Sequence, residues 1–432
     1  MQRRDFLHYL SAGAALGMMA PFGNLLAATG PTMPGNTGAN GRVVVIGGGM
    51  AGTTVAKYLR LWGGTGVQVT LVEPNPTYIS NIFSNKVLTG ERTLTQLSYK
   101  YGTLTSKYGV KLITKSVVAI DPTGQQVLLD DGNKLPYDRL VIAPGIDFDA
   151  LTMSGTPDAQ AKVVHAWKAG KDGAQTTSLQ AQIRAMTKAD TFILTIPKAP
   201  YRCPPGPYER ACVVADYLKR TKGGGKVVVL DANVKIQAEL ENFTNAFKNI
   251  HKNITYVPSA EITSIDANTR TVNTSAGSFK GKVINAIPPH KAGKIISDNP
   301  LLASVSNRWA GVNVLSYESN TVPNIHVIGD AAATTQPKAG HIANAEAKVC
   351  ADAIVHLLRG EAVNQSPMTN SACYTPITNK TASWLSVVYR YDPATGTMLP
   401  TGNGVTESSG INKDNHEEML KWFSNLMSDT FA

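Results

Sequence analysis

The stretch Arg42-Val43-Val44-Val45-Ile46-Gly47-Gly48-Gly49-Met50-Ala51-Gly52 decides the fold of this chain. A short β-branched run reads as a strand, the glycines as a tight turn, and the residues through Leu61 as a helix. A second strand over Val67 to Val72 ends at Glu73, 21 residues beyond Gly52. Strand, glycine turn, helix, strand and acid in that order form a dinucleotide-binding unit. Gly47 permits the turn, Gly49 lets the backbone approach a pyrophosphate, and Gly52 lets the helix pack close to the sheet. Met50 and Ala51 open the helix whose free N–H groups face the phosphates, and Glu73 is placed to accept from ribose hydroxyls.

Two later segments fix the kind of nucleotide. Tyr137 to Gly145 is a buried strand ending in a small-residue turn at Ala143 and Gly145, and Asn324 to Asp330 is another strand ending in Gly329-Asp330. They resemble the second and third signatures of the two-dinucleotide-domain flavoprotein reductases, in which the late Asp binds the ribityl chain of FAD. Between them, Thr191 to Ile196, Tyr208 to Arg220 and Lys226 to Asp231 repeat the strand, helix, strand layout. The turn that would hold NAD(P)H reads Pro197-Lys198-Ala199-Pro200-Tyr201-Arg202-Cys203-Pro204-Pro205-Gly206-Pro207. Prolines lack N–H groups and fix the backbone, so this loop does not cradle a pyrophosphate, and NAD(P)H is disfavoured as donor. The loop offers a thiol instead, near a helix start that favours a thiolate.

The 432 residues suffice for two to three domains, and 43% hydrophobic with 17% charged content gives a globular chain with large cores. The net charge of +10 suits an acidic protein partner, an anionic small substrate or simply solubility; with no basic run it does not indicate nucleic acid. Arg3-Arg4 precedes an apolar stretch from Leu7 to Ala20 and small residues at Ala27 and Ala28, the form of a twin-arginine export signal. The stretch is interrupted by His8, Ser11 and Gly13 and is shorter than the roughly 20 residues of a bilayer crossing. A periplasmic protein without membrane insertion is expected, with Gly30 to Gly41 as a loose leader. Four cysteines, Cys203, Cys212, Cys350 and Cys373, allow three full disulfide pairings in an oxidising compartment. Cys212 and Cys350 fall in helical runs and read as buried. Cys203 and Cys373 lie in loop-like surroundings, where composition alone favours a structural over a redox role. There is no metal pattern and no c-type haem motif.

Arg202-Cys203-Pro204-Pro205-Gly206-Pro207-Tyr208-Glu209-Arg210, with the leader, the Gly47 turn, Gly329-Asp330, Pro337-Lys338-Ala339-Gly340-His341 and Cys373-Tyr374, resembles the flavoprotein subunit of flavocytochrome c sulfide dehydrogenase. The resemblance implies an α/β fold of glutathione-reductase type: two Rossmann-like dinucleotide-binding domains and a smaller C-terminal domain. It divides the chain into a leader at 1–41, an FAD domain at 42–152 and 281–358, a second Rossmann-like domain at 153–280, and a C-terminal active-site domain at 359–432. It further implies bound FAD, a redox disulfide between Cys203 and Cys373, sulfide as substrate, and a cytochrome c subunit or soluble cytochrome c as acceptor. Hydrosulfide would attack the disulfide and leave a persulfide, and the freed thiolate would hand electrons to the flavin. By the same carry-over Glu209 handles protons, its plain alternative being a solvated carboxylate at a helix start. Lys338 approaches the flavin ring, its alternative being an ordinary loop lysine. Val118 and Asn81 complete the cofactor set with the glycine-turn residues. Asn81 stands in Tyr78-Ile79-Ser80-Asn81-Ile82-Phe83-Ser84-Asn85 where the family can tether FAD through a cysteine, so noncovalent FAD is expected.

Three rivals remain open. A sulfide:quinone oxidoreductase-like enzyme needs a quinone pocket and a membrane-facing surface. The C-terminal run from His416 to Phe431 has Met419, Leu420, Phe423, Leu426 and Met427 at helical spacing but lacks a basic face, so docking on its own domain or a partner is expected. A non-catalytic flavoprotein of a sulfur-oxidation complex would carry a merely structural bridge. An NADH-dependent reductase is disfavoured by the proline loop.

Overall fold

The computed structural model describes residues 33–402 and 404–432, so the expected export signal lies outside the described residues. Strand Gly41–Ile46 runs parallel to Val67–Val72 on one side, Val43 facing Val69, and to Arg139–Ile142 on the other, Val43 facing Arg139. Lys111–Ile113 and Ile325–Val327 extend the parallel strip, and an eight-stranded sheet results. Its central strands are continuous apolar runs because both faces are covered. Helices Met50–Gly63 and Gly340–Leu358 pack against each other, with Val55, Ala56, Leu59, Ala347, Ala351 and Ile354 buried. Gly52 makes the first turn possible, since a Cβ there would lie 1.8 Å from the Gly47 carbonyl oxygen.

The second sheet is wholly parallel, in the order Ile254–Val257, Lys226–Asp231, Thr191–Ile196, Val283–Ala286. Its last strand pairs with Thr191–Ile196, so the chain returns to the first domain after Ala286 rather than at residue 281. An antiparallel meander of Ile262–Asp266, Thr271–Thr274 and Gly277–Lys280 flanks it, joined by Met153–Ser154. The C-terminal region is an antiparallel sheet of Met368–Pro376, Ala382–Asp392 and Thr397–Pro400, followed by helix Lys413–Phe431. This helix docks on its own chain: Phe423 stacks on Phe83 at 4.2 Å, and Phe431 stacks on Tyr78 and Tyr99 at 5.1 and 5.0 Å. No helix among the described residues is long and apolar enough to cross a membrane.

The segment before the first strand differs from the loose leader expected of its Gly/Pro/Asn content. Asn36 forms a bridge with Gly64, the Thr37 hydroxyl donates to the Gly63 carbonyl at 2.7 Å, and Ala39 is fully buried. Short polar side chains that satisfy the end of a helix hold this stretch where composition alone suggests slack.

Candidate active site

The parallel strands of the first sheet end at a cavity of about 1200 Å³, as expected where ligands bind at the carboxyl edge of such sheets. Gly47, Gly49, Met50, Ala51, Glu73, Asn81, Ala143, Gly145, Gly329 and Asp330 all line it. A Cβ at Gly49 would meet only Tyr78, at 3.8 Å, which leaves the turn open to close approach. Glu73 is anchored by its own neighbourhood: Gly48 N–H donates to Oε2 at 2.7 Å and the Asn75 amide groups donate to Oε1. Asp330 Oδ1 is sealed from solvent with no hydrogen-bond partner among the described residues, while Arg202 lies 4.0 Å from Oδ2. A turn that leaves room beside its backbone, an oriented acid and an unsatisfied buried carboxylate oxygen fit FAD, and FAD is the cofactor of this chain.

Of the other expected cofactor residues, Gly52 lies behind the turn against the Gly47 carbonyl, and Val118 and Lys338 lie elsewhere. Val118 is 57% exposed, and its neighbours Ser116 and Val117 line the cavity instead. Strand alternation turns successive side chains to opposite faces, so an offset of one residue reverses the placement. Lys338 lines a neighbouring cavity, with its ammonium 3.8 Å from the Trp309 ring centroid and donating to the Asp330 and Ala332 carbonyls. Burial brings it down to about 8.

Residues from three distant parts of the sequence meet at the same cavity wall. Cys203 sits on the proline loop in the left-handed region, φ 59°, its N–H donating to the Lys338 carbonyl at 2.7 Å. Such a backbone costs a non-glycine residue about 1 to 3 kcal/mol and persists where the surroundings fix it. Cys373 is on strand Met368–Pro376, opposite Leu385, and not in a loop. Its neighbours Asn370 to Thr375 are polar, which disguises a strand whose register is set by the partner Ala382–Asp392. Both cysteines are thiols here, and their partial exposure is to the cavity. Burial pushes the Cys203 thiol well up, reinforced by Cys373 and Glu209, against the opposing pull of Arg202. The same cause takes Cys373 up to about 12, opposed by the Ser371 hydroxyl. The helix start beside Cys203 therefore does not yield a stabilised thiolate, because desolvation outweighs it. Cys212 and Cys350 are fully buried in helices, as their sequence setting implies.

Glu209 lies in the first turn of helix Gly206–Lys222, and Asn85 Nδ2 donates to its Oε1 at 2.8 Å. Burial pushes its carboxyl up to about 7, with Asn85, Lys86 and Arg210 holding it down. It is not the solvated helix-start acid of the plainer alternative. Asn85 also accepts from Arg210 Nε at 2.8 Å, and Arg210, 1% exposed, donates further to His165 and Ala166 carbonyls and to Asn285 Oδ1. This fixed guanidinium lies over the Trp167 ring at 4.6 Å. Neither Asn85 nor Arg210 stands out in the sequence as a site residue, although both lie inside stretches singled out for other reasons.

A second cavity, of about 980 Å³, opens at the carboxyl end of the second sheet. The proline loop from Pro197 to Tyr201, His290, Trp309 and Tyr389 line it, and Cys373, Pro205 and Ala339 belong to both walls. The turn where a NAD(P)H pyrophosphate would sit thus borders a cleft with Pro197, Pro200, Pro204 and Pro205 in its wall, leading to Cys373. No group of three or more metal-ligating side chains occurs among the described residues.

Comparison with known proteins agrees with this geometry. Residues 176–288 match the family model of the central region of the flavocytochrome c sulfide dehydrogenase flavoprotein chain, and residues 365–431 match the flavin-binding region of the same enzyme. Residues 41–183 match the pyridine nucleotide-disulphide oxidoreductase family. Ferroptosis suppressor protein 1 of Taeniopygia guttata is 37% identical over 108 residues, 24% of this chain and 27% of that protein. The mitochondrial sulfide:quinone oxidoreductase of Mus musculus is 22% identical over 302 residues, 67% of this chain and 65% of that protein. The chain thus spans less than two thirds of either relative's length. The solved sulfide:quinone oxidoreductase of Aquifex aeolicus superposes with a TM-score of 0.75 at 19% identity, over 90% of this chain and 91% of that one, and shares its fold.

Proposed function

The chain belongs to the flavoprotein family of flavocytochrome c sulfide dehydrogenase, and we propose that it is a periplasmic FAD-dependent enzyme that oxidises sulfide to sulfane sulfur and delivers electrons to a cytochrome c. The observation that carries the reading is the convergence on the FAD cavity of Cys203 and Glu209, from the proline loop and the helix it opens, with Cys373 from the distant C-terminal sheet. In the oxidised enzyme Cys203 and Cys373 form a disulfide. Hydrosulfide attacks one sulfur, an S–S bond to the substrate forms, and the bond between the cysteines breaks with its electron pair leaving on the other cysteine. Glu209, with a pKa near neutrality, takes up the proton of the attacking sulfide. Burial raises both thiols, so a freed thiolate is desolvated and favours giving up its charge. Bound FAD supplies a two-electron acceptor that can release electrons singly to a haem on another chain. Arg202 and Asp330 hold the cavity floor, and the Asn85 and Arg210 network fixes Glu209 against the cysteines.

The decisive experiment is anaerobic stopped-flow absorbance with sulfide, comparing wild type with Cys203→Ser and Cys373→Ser. Bleaching of the flavin in wild type alone supports the reading. A wild-type flavin that stays oxidised sinks it and leaves the accessory-flavoprotein role. Reoxidation by a c-type cytochrome but not by a short-chain quinone supports the proposed acceptor, and the reverse assigns the quinone chemistry named for the relatives. Export by the twin-arginine route rests on Arg3-Arg4 and the apolar stretch after it. Loss of periplasmic protein on changing both arginines to Lys tests it.

A further inference from the structure

Sulfide oxidation releases a proton in the pocket that holds the cysteines, and the Glu209 side of that pocket faces the FAD cavity. A second carboxyl lies behind the cysteines. Glu239 is fully buried, at the left-handed φ of 51°, ahead of helix Leu240–Asn245. Thr375 Oγ1 donates to Glu239 Oε1 at 2.5 Å. Glu239 Oε2 has no hydrogen-bond partner among the described residues, and neither has the buried Ser383 hydroxyl that faces this carboxyl.

The strands explain why these groups meet. Ser371, Cys373 and Thr375 share one face of Met368–Pro376, since side chains alternate along a strand. Ser371 Oγ lies 3.9 Å from Cys373 Sγ, and Thr375 pairs across the sheet with Ser383. A hydroxyl and thiol stripe therefore runs from the redox sulfur to Glu239. Cys373 and Thr375 are roughly 7 Å apart along the strand, the span of one bridging water. On the far side, Glu407 pairs opposite Leu385, lines the second cavity together with Gln237 and Ala238, and faces the Glu239 amide N–H.

We propose that Glu239 is the proton outlet of the cysteine pair, receiving a proton from the Cys373 side through the Thr375 hydroxyl and passing it to Glu407 at the wall of the second cavity. The source of the proton rests on the sulfide-dehydrogenase reading; the coupling of Glu239 to the Cys373 thiol does not. Each transfer is a proton exchange alone: where hydrosulfide has attacked Cys373, the S–H of the persulfide left there becomes the persulfide anion, the Glu239 carboxylate becomes carboxylic acid, and Glu407 then accepts. Burial places Glu239 at about 7, between a desolvated thiol and the aqueous cavity. The groups that face it are Glu209 and Cys212 from helix Gly206–Lys222, Cys373 and Thr375, Ser383, and Glu407, and no cation among the described residues offsets them. Glu239 acts through other groups and is a positioning and relay residue, not one that touches substrate.

The test uses the FAD-loaded protein and two readouts. In reduced Cys203→Ser protein, the pH profile of iodoacetamide alkylation at Cys373 reports the thiol directly, because Cys212 and Cys350 are buried. Glu239→Gln removes a negative charge facing Cys373, so alkylation at pH 8 accelerates on the order of threefold or more. In the otherwise wild-type enzyme, proton release on sulfide addition is followed with an indicator dye. Glu239→Gln delays it relative to the flavin absorbance change by on the order of tenfold, and Glu239→Asp restores much of the rate. If Glu239→Gln does not fold, Glu407→Gln at the cavity wall replaces it, with the same delayed release expected. Unchanged alkylation and undelayed release together overturn the proposal. A shifted alkylation profile in a protein whose wild type does not react with sulfide supports the link between Glu239 and the thiol while removing the sulfide reading.

Discussion

Glu209→Gln separates a buried, proton-binding carboxyl from an ordinary surface acid. Burial raises the folded-state pKa from 4.5 to about 7, and the unfolded chain keeps the ordinary value. The stability that the protonated carboxyl contributes is fully present below about pH 4.5 and is lost as the pH climbs through about 7. A shift of this size corresponds to up to about 3 kcal/mol. Glutamine keeps an acceptor oxygen for Asn85 and never ionises. Guanidinium unfolding of the FAD-loaded proteins from pH 5 to pH 9 therefore shows the wild-type midpoint falling relative to Glu209→Gln as pH rises, with most of the divergence between pH 5 and 8. Glu346, which is pushed up to about 8 by burial, titrates alike in both proteins and drops out of the difference. Two curves that stay parallel across the range refute the assignment of Glu209 as a desolvated acid, and with it the basis for its role in proton transfer.

Asn85→Ala removes the donor to Glu209 and the acceptor of Arg210 Nε, leaving a buried guanidinium short of one partner. A loss on the order of 2 kcal/mol is expected by chemical denaturation, with a further rise in the Glu209 pKa. Gly52→Ala places a Cβ against the Gly47 carbonyl, so the purified variant carries little flavin by absorbance. Acid precipitation of wild type releases the flavin completely into the supernatant, since Asn81 offers no thiol; Asn81→Cys retains a fraction of it in the pellet if the cavity wall there meets the flavin.

The first sheet was legible because its central strand Gly41–Ile46 is a β-branched run and the turn after it carries glycine at Gly47 and Gly52, where a Cβ would collide with backbone. In the second sheet the strands Thr191–Ile196 and Lys226–Asp231 were legible, although the sheet's end at Ala286 lay beyond the boundary that the resemblance implied. Cys373 was harder, because strand Met368–Pro376 is polar on the visible pattern and depends on a partner strand for its register. The thiolate expected at Cys203 failed on an energy balance: a helix start favours the anion by about 1 kcal/mol, while loss of water around it costs more. Lys338 and Val118 show the limit of carrying positions without geometry, since both stand within one residue of the cavity they were expected to line. Asn85 and Arg210 escaped notice because a buried hydrogen-bond network has no spacing signature.

The first sheet is not finished by the residues that start it. Arg139–Ile142 acquires its outer neighbour, Ile325–Val327, only after the whole second domain has been made. Until then a central, apolar strand stands as a bare edge, the arrangement most prone to pair with another chain. Pairing across so long a stretch is also slow, since the intervening chain must be ordered first. Folding of the first unit is therefore gated by synthesis of the later one, and the window of exposure during translation, rather than the finished fold, sets the demand for chaperones. The same interleaving makes the flavin cavity, whose walls join Gly47 to Asp330, a late checkpoint: a chain that retains FAD has already closed its sheet.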